Sequence, residues 1–160
     1  MRGRLRQFRQ ASALPTEADF GLASRYLEGR LLTLFRSQHP RDIAHSAATA
    51  RWLIERGQAD NDLIVAGLLH DVAKGEQRRA DRVAWVLAGY AGLERRLAGR
   101  GSRFEFRRAM ARTAEHSAAG ARILLQAGAT TAVAELTRLH HAPPGTDRVL
   151  ALLQQADAAN

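Results

Sequence analysis

The stretch 63–74, Leu-Ile-Val-Ala-Gly-Leu-Leu-His-Asp-Val-Ala-Lys, restricts the fold more than any other. Its first seven residues are apolar or small on every side, and a helix with no polar face has to be surrounded by other elements. It closes on His70 and Asp71, side by side. An ionisable pair at the end of a buried helix costs free energy unless something satisfies it. Two solutions are open from these residues alone. One is a satisfied core histidine beside a capping aspartate. The other is a metal ion, to which an imidazole gives one nitrogen and a carboxylate gives two oxygens able to bridge two ions.

The rest of the chain supplies the surrounding helices. Thr16 after Pro15, with Glu17 and Asp19 in the first turn, predicts one or two helices between 16 and 37, interrupted at Gly21 and Gly29, with Leu27, Leu31, Leu34 and Phe35 inward. Pro40 and Asp42 open a helix to about Arg56 that stops at Gly57; its core stripe is Ile43, Ala47, Ala50 and Ile54. His45 lies beside that stripe, with Arg41 one turn earlier. Asp60, Asn61 and Asp62 cap the buried helix, which runs to Lys74-Gly75-Glu76. Helical spacing returns over 78–97, and 99–102 reads as a loop. A long helix follows over 104–126, stopped by Gly128, with Ala109, Thr113, His116, Gly120, Ile123 and Ala127 on one stripe. Thr130 or Thr131 caps a helix to about His140. Val133, Leu136 and His140 share one face, and Ala134, Thr137 and His141 the neighbouring one. The more apolar face selects His140 over His141 as the inward residue. After the break at Pro143-Pro144-Gly145, Asp147 opens a last helix whose Leu150, Leu153 and Asp157 point inward.

No segment alternates with strand period, so the expected fold is all-α: a single helical bundle of about six to eight helices. The expected organisation is a poorly ordered basic arm over 1–15, a helical domain over 16–160, and a variable segment near 76–103. A chain of 160 residues with 46% apolar residues suits one domain with its own core. No apolar run is long enough to span a bilayer, and Arg2, Arg4, Arg6 and Arg9 are followed by no secretory h-region, so no membrane contact is expected. With no cysteine, thiolate sites are excluded, a cytoplasmic setting is expected, and any metal must be held by His, Asp and Glu. The net charge of +8 points to an anionic partner. Nucleic acid is the less favoured choice, because the arginines are spread along the chain and read as a GC-rich coding bias. Lys74 is the only lysine and falls three residues past Asp71; a compact ammonium does not substitute for a planar guanidinium.

Each helix with a strong core face carries an inward His or Asp: His45, His70 with Asp71, His116, His140 and Asp157. Several helices doing so together is the pattern of a metal site built inside a bundle. The same order, His45, then His70-Asp71, then Asp157, resembles the HD-domain metal-dependent phosphohydrolases. The surrounding text agrees: Arg41-Asp42-Ile43-Ala44-His45-Ser46, and Leu68-Leu69-His70-Asp71-Val72-Ala73-Lys74, which is similar to the family's His-Asp-Ile-Gly-Lys variant. Glu115-His116-Ser117-Ala118-Ala119-Gly120 and Leu139-His140-His141 resemble the extra histidines of the binuclear subgroup, and Ala156-Asp157 the last ligand. The resemblance covers about 34–159. No Gly-Tyr-Pro follows His141, which departs from the HD-GYP phosphodiesterases, and 81–103 carries no motif of the family.

The resemblance implies two divalent transition-metal ions, drawn from Mn, Fe, Co, Ni or Zn. One would take His45, His70, Asp71 and Asp157. The second would take His116, His140 and the other oxygen of Asp71, with His141 as the alternative to His140. It implies catalytic roles for Asp71, His70 and Lys74, substrate contacts from Lys74 and Arg41, and a metal-bridged hydroxide as the attacking group. The expected activity is hydrolysis of a phosphate ester: a nucleotide, a cyclic dinucleotide or another small ester. Two rivals remain beside it. A non-catalytic HD-fold metal- or nucleotide-binding module would bind without turnover, and a basic nucleic-acid-binding helical domain would bind polymer in a salt-dependent way without metal.

Overall fold

The computed structural model describes residues 14–74, 105–143 and 145–160, with side chains in the long helix described from Glu115 onward. The described residues form helices and connecting turns, with no strand among them. The helices are α1 (Glu17–Tyr26), α2 (Gly29–Ser37), α3 (Pro40–Glu55), α4 (Asn61–Leu69), α5 (Glu105–Gln126), α6 (Thr131–Leu139) and α7 (Arg148–Ala159). The arm as far as residue 13, the helix read over 78–97, the loop at 99–102 and Pro144 lie outside the described residues, as do the side chains of Ala109 and Thr113.

The helix starts follow local chemistry. The Asp19 carboxylate accepts from the backbone N–H and the hydroxyl of Thr16, both at 2.8 Å, and fixes the entry to α1. Asp60 accepts from the N–H groups of Asp62 and Leu63 at the start of α4, Thr130 from Val133 at α6, and Asp147 from Val149 and Leu150 at α7. Gly57 and Gly128 carry φ of 75° and 97° just past α3 and α5, the left-handed conformation that ends a helix cheaply only at glycine. Gly21, read as an interruption, lies inside α1, because one exposed glycine lowers helix stability without ending the helix.

α4 is the axle of the bundle. Leu63 to Leu69 are all buried, and the helix packs against α1, α2, α3, α6 and α7. Gly67 makes the approach to α3 close: a Cβ there would stand 3.2 Å from Leu53 Cδ1 and 3.4 Å from Ala50 Cα. This approach also shifts the core face of α3. Ile43, Ala47 and Ala50 are buried as their spacing predicts, but the last core residue is Leu53, on the α4 side, while Ile54 is only partly covered. In α5 the inward face passes through His116, Gly120, Ala121 and Leu124; Ile123 and Ala127 sit at its edge.

α4 ends at Leu69, five residues before Lys74. Residues 71–73 form a tight turn in which Val72 N–H donates to Leu69 O at 3.1 Å and Lys74 N–H to Asp71 O at 2.9 Å. Gln38 Nε2, from the α2–α3 connection, donates to the Leu68 carbonyl at 3.3 Å and occupies one of the acceptors that helix ends leave open. The turn puts Asp71 at the centre of the bundle, between α3 and α7 on one side and α5 and α6 on the other.

Candidate metal centre

Asp71 is 2% exposed, and its two oxygens face different neighbours. Oδ2 lies 3.5 Å from His70 Nε2 and 3.9 Å from His45 Nε2. Oδ1 lies 3.4 Å from His116 Nε2 and 3.7 Å from His140 Nε2. Asp157, from α7, completes the first side: its Oδ1 is 2.9 Å from His45 Nε2 and 3.5 Å from His70 Nε2. His116 and His140 meet at 3.3 Å, Nε2 to Nε2, on the second side. Two groups with metal-ligand composition result. His45, His70 and Asp157 form one, and Asp71, His116, His140 and His141 form the other, with the ligand atoms of each within 4.8 Å of one another.

The ring orientations follow from the backbone. His70 Nδ1–H donates to the Gly67 carbonyl at 3.0 Å, and His140 Nδ1–H to the Thr137 carbonyl at 2.6 Å. Each bond goes back three residues to a carbonyl near the end of its helix, and each leaves the Nε2 lone pair directed into the cluster. His70 Nε2 and Asp71 Oδ1 are buried without a hydrogen-bond partner among the described residues. Leaving such atoms unsatisfied costs about 1–3 kcal/mol each. The fit to a divalent cation rests on this pair of orphaned atoms within an all-imidazole and carboxylate donor set.

The electrostatics favour positive charge at the same place. Burial alone would raise the Asp71 carboxyl, but the neighbouring His70 and Lys74 hold it well below the usual carboxylate range. Burial is likewise outweighed at Asp157, where the imidazoles of His45 and His70 keep the carboxyl far down. At His70 burial lowers the imidazole, yet Asp71 and Asp157 bring it above its ordinary value. At Lys74 the same contest, burial against Asp71, ends with the ammonium raised. At His140 the balance goes the other way: burial, with the charges of His70 and His141, outweighs Asp71 and pushes the imidazole down to about 3.

The structure brings together His45, His70, Asp71, His116, His140 and Asp157 from α3, the end of α4, α5, α6 and α7. It also brings in His141. The choice of His140 over His141 by helix face separates them in burial, since His140 is 3% exposed and His141 is exposed. It does not separate them in reach: their rings lie 3.9 Å apart, and His141 is 5.0 Å from the His116 ring, centre to centre. His140 is the C-cap of α6 and His141 the residue after it, where the helix gives way to a turn. Lys74 Nζ lies 2.5 Å from Asp71 Oδ2. A cavity of about 710 Å³ opens onto the cluster, lined there by His45, Asp71, Lys74, His141 and Asp157. Arg41 lines it, and so does Arg51, which the sequence reading passed over. Its signal was present: Arg41, Ala44, Ala48 and Arg51 recur at helical spacing beside His45.

Residues 36–159 match the family description HD domain. The chain belongs to the HD domain family. The matched span of this HD domain takes in α3 to α7, and with them every residue of the two groups. No curated protein and no solved structure matches the chain. No helix among the described residues of the HD domain is long and apolar enough to cross a membrane.

Proposed function

We propose that this HD domain is a metal-dependent phosphohydrolase that cleaves a small phosphate ester. The observation that carries the reading is the placement of Asp71, whose Oδ2 faces His45 and His70 while Oδ1 faces His116 and His140. A carboxylate so divided suits two cations at once, one among His45, His70 and Asp157 and one among His116, His140 and His141. When bound, two divalent ions supply Lewis-acid charge and an acidified water for attack on phosphorus. Mixed imidazole and carboxylate donors suit Mn, Fe, Co, Ni or Zn.

The chain's own groups have separate tasks. The Gly67 and Thr137 carbonyls hold His70 and His140 in the tautomer that keeps Nε2 unprotonated. Asp157 Oδ1 stands 2.9 Å from His45 Nε2 and 3.5 Å from His70 Nε2, which places the three donor atoms to share one ion. Lys74 carries its ammonium to the cavity wall, where it pairs with Asp71 and is positioned to take a phosphate oxygen. Arg41, on the same wall, is the second candidate for that contact. A site inside a bundle and reached through a cavity favours a small substrate over a duplex or a protein.

Elemental analysis of protein purified without chelator, followed by a panel of nucleoside mono-, di- and triphosphates and cyclic nucleotides with Mn, Fe, Co and Ni, tests this function. About two ions per chain and turnover of a small ester are expected. Bound metal with no turnover would favour the non-catalytic binding module. Cleavage of long single-stranded nucleic acid alone would overturn the substrate class.

A further inference from the structure

The far wall of the cavity holds a cation prepared in advance. Arg51, on α3, pairs through Nη2 with Asp19 Oδ1 on α1. Asp19 is 6% exposed, and its other oxygen accepts from the Thr16 N–H and hydroxyl. The carboxylate is therefore held through both of its oxygens. The guanidinium is more open: its side chain is 44% exposed, and both residues line the cavity. A guanidinium has five donors, so one bound edge leaves the others available to a ligand.

Position along α3 gives the spacing. Arg51 follows His45 by six residues, about 9 Å along the helix axis. Between them Ala48 lines the same cavity, and Ala44 lines it beside His45, so small methyl groups form a floor with room above it. About 710 Å³ is far more than one phosphoryl group occupies and falls within the usual range for a small-molecule site. An ester cleaved at the metal centre would extend over Ala48 and present its far end to Arg51.

We infer that Arg51 reads a second phosphoryl group, so that the substrate carries at least one phosphate beyond the one cleaved. This rests on the phosphohydrolase reading and narrows its substrate class. Planar, forked donors suit a phosphoryl group's paired oxygens. Asp19 occupies one edge of that fork through Nη2 and leaves the charge of the guanidinium in place.

Alkane-α,ω-diphosphonates of three to six carbons, set against alkylphosphonates of the same length, test this without turnover, because neither has an ester to cleave. Dissociation constants are measured by calorimetry on the metal-loaded full chain. At the best length the diphosphonate should bind at least about tenfold tighter than the monophosphonate. Arg51→Gln should bring that ratio close to one and leave the monophosphonate constant within about twofold. Arg51→Lys should give an intermediate ratio, since an ammonium supplies charge without the fork. Asp19→Asn breaks the pair but keeps the guanidinium, and should retain most of the preference. A ratio near one in the wild type, a ratio that survives Arg51→Gln, or equal ratios in the Arg51→Gln and Arg51→Lys variants would each overturn the inference. So would full loss in a folded Asp19→Asn variant. Metal content on the same samples separates the two readings: two ions with no diphosphonate preference sinks this inference alone, and no ions sinks the phosphohydrolase itself.

Discussion

Lys74 Nζ stands 2.5 Å from Asp71 Oδ2, the oxygen that faces His45 and His70. The only lysine of the chain is thus bonded to the carboxylate on which both halves of the centre converge. It follows that Lys74 is held by the centre without being one of its ligands. Lys74→Met removes the charge and keeps much of the stem. The variant should retain about two ions per chain and lose roughly 10–100-fold in kcat/KM, the worth of one charge-assisted contact to a phosphate. Loss of metal together with activity would instead make Lys74 a support for Asp71 alone.

Asp71 should differ from every other member of the cluster in metal stoichiometry. Asp71→Ala removes the one residue that faces both histidine groups and should lose both ions. His45→Ala should weaken one ion, and His116→Ala the other. Circular dichroism should show a helical fold in each, and both Asp71→Ala and His70→Ala should abolish hydrolysis. Elemental analysis of Asp71→Ala, His45→Ala and His116→Ala in parallel decides it. If Asp71→Ala kept one ion while His116→Ala lost both, the bridging role would belong elsewhere.

Much of this centre was legible because the residues that build it are tied to helix periodicity. The apolar run of 63–69 demanded a central helix, and α4 is one. His45, His116 and Asp157 follow from the phase of their own helices, since inward position on an amphipathic helix is a local property. What escaped depends on contacts between distant segments. The stretch from Asp71 to Lys74 is composed to continue a helix, yet α4 stops at Leu69, where Gln38 occupies the Leu68 carbonyl from thirty residues away. Arg51 gained its setting only through Asp19 on another helix. Face ranks His140 and His141 in burial but not in reach, because the pair sits where α6 gives way to a turn.

The two glycines of α1 and α4 should respond in opposite directions. Gly21 is exposed, with nothing within 4 Å of where a Cβ would stand, so Gly21→Ala should stabilise the protein by roughly 0.5–1 kcal/mol through helix propensity alone. At Gly67 a Cβ meets Leu53 Cδ1 at 3.2 Å and the Ala50 backbone at 3.4 Å. Leu53 has no room to retreat, being fully buried, so Gly67→Val should destabilise by roughly 1–3 kcal/mol and loosen α3 from α4. Urea unfolding of both variants provides the comparison. A neutral Gly67→Val would mean that the two helices separate more easily than their packing implies.

His140 should make the chelated protein less stable as the pH falls below about 6.5. Its imidazole is held down at about 3, chiefly by burial and then by the charges of His70 and His141. In the unfolded chain the same group takes a proton near pH 6.5. Between those values the unfolded state binds the extra proton, so stability rises with pH and falls as pH drops, by up to about 1.4 kcal/mol per unit. His141, also lowered by burial and by His116, adds a contribution of the same sign. His70 has the opposite shift: its stabilisation is complete below about 6.5 and fades only as pH rises through its raised value. Asp71 and Asp157, both depressed, keep their stabilisation until pH falls below about 4. The window from about pH 4.5 to 6 therefore isolates the two depressed histidines. Urea unfolding there, after metal removal, should give a steeper loss for the wild type than for His140→Gln. Parallel curves would show that His140 takes up its proton in the folded bundle, and that Nε2 is not the open lone pair its hydrogen bond to Thr137 implies.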